Sequence, residues 1–81
     1  MHTFYHTFGL GHEHQGKVQP IIARNAVDAY RAMLEKYGDK WAFQYTEEEW
    51  EANRKAGLAK EKPLKIISAP STEQYKENVT G

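Results

Sequence analysis

The sequence predicts a small, mainly α chain forming one domain over residues 1–81. Three observations carry that expectation. An apolar stripe with helical spacing runs through residues 25–38, a capping signature opens a second helix at residue 46, and the first histidines stand four residues apart.

Composition sets the scale. In 81 residues there are 14 Leu, Ile, Val and Phe, so the core is modest, though ten aromatic residues add bulk. Eleven basic residues balance eleven acidic ones. That balance removes the basic surface a nucleic-acid binder uses to displace counterions. Without cysteine there is no disulfide framework, thiolate metal site or cysteine nucleophile. No apolar run approaches a membrane span. Residues 1–20 show no basic stretch followed by an apolar one, so no signal peptide is read, and the compartment stays open.

Asn25 suits an N-cap, with Asp28 in the first turn and Gly38 past the last. Between them Val27, Tyr30, Leu34 and Tyr37 form a stripe expected to be core, with Met33 beside it. The second helix spans 46–57. Thr46 and Glu49 make a capping box, Glu47 to Glu49 fill the first turn, Arg54 and Lys55 the last, and Gly57 stops it. Trp50 is its apolar anchor. Trp41, Phe43 and Tyr45 precede it at period two, as extended chain or a packed linker. Residues 58–81 read as a loop-rich tail. In it Lys60–Pro63 is an exposed loop, Leu64–Ile67 a short strand, and Ser71-Thr72 a cap for a turn through Gln74. Asn78–Gly81 frays, and Asn78-Val79-Thr80 fits a glycosylation sequon.

The chemistry concentrates in residues 1–20, which hold all four histidines. On a helix, His2 and His6 would stack one turn apart and reach one cation. A tetrahedral ion needs a third ligand from another direction. Gly9 offers a turn after which His12 approaches from the side.

The pattern His2-x-x-x-His6-x-x-Gly9-x-x-His12 followed by Glu13-His14-Gln15 resembles the metzincin zinc endopeptidases. It is most like the astacin-type and related fungal or bacterial secreted members. The resemblance covers residues 2–15. It implies a fold like the C-terminal part of a metzincin catalytic domain, with zinc as the cofactor and a peptide or protein as substrate. His2, His6 and His12 would be the metal ligands, Gly9 the turn, and Glu13 and His14 supports behind the ligands. Thr3 stands where the family has its general-base glutamate, and threonine is no base near neutral pH. No upstream sheet precedes the motif, and neither Met1 nor Met33 suits the family's methionine turn. The expectation is a truncated or decayed member with negligible peptidase activity. Two further readings remain open. One is a non-enzymatic helical interaction module with a partner surface around Tyr30, Tyr37, Trp41 and Trp50. The other is a histidine-rich segment binding copper or nickel through His12 and His14.

Overall fold

Residues 2–7 consist of β-branched and aromatic side chains alternating with histidine, and residues 18–22 add Val18, Ile21 and Ile22. Both runs suit a pleated, half-buried surface. They form the central hairpin, β1 (His2–Thr7) and β2 (Lys17–Ala23), in antiparallel register from His2 opposite Ala23 to Thr7 opposite Val18. The computed structural model describes residues 1–70. The expected turn at Ser71-Thr72, the frayed Asn78–Gly81 and the sequon lie outside the described residues.

The order of elements continues with α1 (Ala26–Tyr37), β3 (Gln44–Thr46), α2 (Glu47–Lys55), β4 (Lys62–Pro63) and β5 (Ile67–Ser68). The sheet runs β3-β1-β2-β4, with β5 also on β2. β3 is antiparallel to β1, whereas β4 and β5 are parallel to β2. The expectation of a mainly α chain resembling part of a metzincin catalytic domain is therefore overturned: the described residues form a small α/β domain of five strands and two helices. The physical reason is local. Thr3, Phe4, Tyr5 and Thr7 favour strand, and residues 18–23 supply a strand of like character for them to pair with.

Pro20 shapes the outer side of β2. Val18 and Ile22 accept there from Leu64 and Ala69, both at 2.8 Å, so position 20 also faces outward and has no N–H to give. The ladder breaks at that point into β4 and β5. The Gln19 side-chain amide donates instead to the Lys65 carbonyl at 2.7 Å and to the Pro20 carbonyl at 3.0 Å.

Helix α1 begins as its signals direct. The Asn25 side chain accepts from the Asp28 N–H at 2.9 Å, and Gly38 (φ 65°) donates its N–H to Leu34 at the other end. Its buried face, however, is Asp28, Ala29, Ala32 and Met33. The Val27, Tyr30 and Leu34 stripe expected as core is 59%, 43% and 42% exposed, on the opposite side. Phe4, Phe8 and Ile21 already fill the space above the hairpin, so the helix lies close on its small side chains.

In α2 the capping box is complete. Thr46 Oγ1 accepts from the Glu49 N–H at 3.1 Å, and Glu49 Oε1 accepts from the Thr46 N–H at 2.8 Å. Thr46→Ala is expected to lower stability by about 1 kcal/mol. A thermal melt indistinguishable from wild type would contradict that assignment. Trp50 is 5% exposed, stacked on Tyr5 at 5.4 Å and tilted against Tyr45 at 5.5 Å. The hairpin is thus covered by α1 on the face of Phe4 and His6, and by α2 on the face of Tyr5.

Candidate functional site

Alternation along β1 puts His2, Phe4 and His6 on one face and Thr3 and Tyr5 on the other. His2 and His6 still share a face, but four strand residues span about 13 Å rather than one helical turn. One cation at about 2.0–2.1 Å from each nitrogen cannot bridge that span. Thr3 points away from both histidines, toward α2's side, so it is not beside an imidazole site. The chain turns over residues 9–12, where the His12 N–H donates to the Gly9 carbonyl at 3.3 Å, with Gly11 (φ 85°) rather than Gly9 in the left-handed region, and Gly16 (φ 82°) completes the return. Among the described residues no three His, Cys, Asp or Glu side chains form a group able to hold a metal ion. The structure thus does not bring His2, His6 and His12 together as three ligands of one ion.

His6 is fully buried. Its Nδ1 donates to the Gln19 carbonyl at 3.1 Å, and its Nε2 lies 2.8 Å from Gln44 Oε1. The Gln44 amide nitrogen donates onward to the Ala26 carbonyl at 3.1 Å, at the start of α1. Tyr37 donates its hydroxyl to Gln19 Oε1 at 2.7 Å, and the Trp41 ring stands edge-on to His6 at 5.4 Å. The imidazole thereby ties β1, β2, β3 and α1 together. Burial holds its pKa below the usual 6.5, partly offset by the bonds to Gln19 and Gln44. A neutral ring has one N–H, so it satisfies one of the two facing oxygens.

His12 and His14 lie in the turn between β1 and β2. Their rings are 5.5 Å apart and pack on Phe8 at 4.7 and 5.4 Å, with Tyr37 closing the cluster at 5.0 Å from Phe8. The His14 N–H donates to His12 Nδ1 at 3.0 Å. That bond occupies the Nδ1 lone pair and leaves the proton of a neutral ring on Nε2, an arrangement suited to packing rather than to ligating a metal. His14 is partly buried, whereas Glu13 is an exposed acid 3.7 Å from it. Tyr37 turns inward and Trp50 lies under α2, so the four aromatic residues read as one partner surface are split. Tyr30 and Trp41 alone meet, ring to ring at 5.5 Å.

Two of the grooves among the described residues have largely apolar walls. One is the outer face of α1, where Ala26, Val27, Tyr30, Arg31 and Leu34 line a shallow groove. The other is a deeper groove of about 660 Å³ on the opposite side of the hairpin, between β1, α2 and the 59–66 segment. Sequence reasoning missed this second site, because its walls come from residues far apart along the chain. The signal it did contain was Pro63, directly before the expected Leu64–Ile67 strand, and Pro20, directly before Ile21 and Ile22.

Among the described residues no helix is long and apolar enough to cross a membrane. No family model matches the chain, and no curated protein or solved structure matches it either.

Proposed function

We propose that the protein is a non-catalytic interaction module whose α1 docks an amphipathic, acid-flanked helix of a partner protein. One observation carries the reading: α1 is apolar on two opposite faces, and only the one bearing Ala29, Ala32 and Met33 is used by the fold. Val27, Tyr30 and Leu34 have the i, i+3, i+7 spacing of a helix-docking seam, and Trp41 extends it beside Tyr30. What favours docking over peptide hydrolysis is the use of the histidines. His6 and His12 spend ring nitrogens on internal bonds, and His2 stands far from both along the strand.

Charge selects the occupant. Arg31 is exposed in the groove beside Tyr30. In an antiparallel pairing of two copies, with Val27 against Leu34, the two Arg31 guanidiniums would meet at the centre of the seam. Like charges there disfavour a self-pair and favour a partner carrying carboxylates beside its apolar stripe.

A designed amphipathic helix with a leucine stripe flanked by glutamates serves as probe, with Trp41 fluorescence as readout. Saturable binding is expected. Arg31→Glu should weaken it about tenfold and should reverse the preference toward a lysine-flanked version. Leu34→Asp should remove it while leaving the circular dichroism unchanged. A wild-type dimer that Leu34→Asp dissolves, or peptide binding indifferent to both substitutions, would overturn the reading.

A further inference from the structure

We infer that the groove between the hairpin's outer face, α2 and the 59–66 segment is a binding site for a small amphipathic anion. The ligand is an apolar body carrying one carboxylate, sulfonate or phosphate. The inference is independent of the docking of a helix on α1, which lies on the other side of the sheet.

Size and wall chemistry come first. A volume of about 660 Å³ falls inside the range of small-molecule pockets. Val18, Pro20, Leu64 and Ile66 supply apolar wall, and the Trp50 ring, stacked on Tyr5, closes one end. Ile66 is more than half exposed there, and the neighbouring Leu58 is exposed as well. A few hydrophilic groups on an apolar surface are the usual composition of a ligand site.

The sign of the ligand follows from the charges. Arg54 and Lys60 line the groove, with Glu61 the acid among its walls. The 54–66 segment adds exposed Lys55, Lys62 and Lys65, so five cations face one acid over that stretch. Glu61 is partly engaged already, since its Oε1 accepts from the Lys60 N–H at 3.0 Å. Lys60 lines the groove, so an anionic head beside it leaves the body over Leu64 and the exposed Ile66. At the α2 end Arg54 donates to Glu51 at 3.0 Å. Burial, Glu47 and Glu51 raise the Tyr5 pKa, leaving its hydroxyl a proton donor.

The same acids limit the size of the ligand. Glu47 to Glu49 and Glu51 crowd the N-terminal half of α2, and a polyanion laid across the groove would meet them. A nucleic-acid strand is therefore disfavoured, whereas a single anionic head placed at Lys60 avoids them.

The probe is 8-anilinonaphthalene-1-sulfonate, an aromatic body with one sulfonate, titrated into the labelled protein and followed by amide chemical shifts. Saturable one-site binding is expected, with shifts at Thr3, Val18 and Lys60 and none along Val27–Leu34. The uncharged N-phenyl-1-naphthylamine should bind at least about tenfold more weakly, and Lys60→Glu should weaken the sulfonate about tenfold. Ala59→Trp should fill the groove and abolish binding. If that variant misfolds by circular dichroism, the Lys60→Glu comparison decides alone. Shifts centred on α1, equal affinity for the uncharged dye, or no effect of Lys60→Glu would overturn the inference. So would anionic phospholipid vesicles binding wild type and Ala59→Trp alike while the free dye binds neither, since that assigns the cations to a membrane surface.

Discussion

Trp50→Ala is expected to cost about 3–5 kcal/mol, most or all of the stability of so short a chain. Trp50 is the one buried residue of α2, and it stacks on Tyr5 at 5.4 Å with a ring-plane angle of 11°. Its loss removes the ring by which α2 rests on β1 and opens a void against the hairpin. Trp50→Phe keeps a ring in contact with Tyr5 and should recover roughly half of the loss. Trp41→Ala is the comparison, because Trp41 is only half-buried and its indole N–H reaches the Gly38 carbonyl at 3.0 Å. Its cost should be well below that of Trp50→Ala. Urea denaturation reads all three, and equal midpoints for Trp50→Ala and Trp41→Ala would refute the anchoring role of α2's tryptophan.

His6→Ala is expected to cost about 2–4 kcal/mol. The substitution leaves a cavity, and it removes the ring that lies between the buried Gln19 carbonyl and the Gln44 amide and donates to one of them. A second signature separates this histidine from ordinary core loss. Burial lowers the folded-state pKa below the usual 6.5, so the unfolded chain takes up the proton first as pH falls. The unfolded state then binds more protons, and stability rises with pH across that window. The contribution is fully present above 6.5 and is lost as pH drops below it toward the depressed folded value. His6→Gln, which cannot titrate, should show a shallower fall over the same interval. Parallel slopes for wild type and His6→Gln would remove His6 from the acid sensitivity of the fold.

These two residues also show what could be read in the chain and what could not. Trp50 was legible because its helix carries its own boundaries, with Thr46 and Glu49 closing on each other across one turn. Asn25 and Gly38 mark α1 by the same local chemistry. His6 was misplaced because its spacing from His2 suits one face of a helix and one face of a strand alike. The β-forming character of Thr3, Phe4, Tyr5 and Thr7 separates the two, and a metal template hides it. The face α1 buries was misread for a different reason. Two apolar stripes compete on that helix, and the choice depends on how much room Phe4, Phe8 and Ile21 leave. The bonds from Gln19 to Lys65 and from His6 to Gln44 join positions 46 and 38 residues apart, beyond any periodicity.

Pro20 has an effect beyond the strand it interrupts. By dividing the pairing on that side, it leaves β4 and β5 two residues long each, and β4 itself contains Pro63. At the far rim β3 is three residues long and passes straight into α2. Among the described residues neither margin offers an uninterrupted row of free amides and carbonyls for a passing chain to copy. A protein with a thin core opens often, and one with such broken borders should still resist growth into fibrils while it does so.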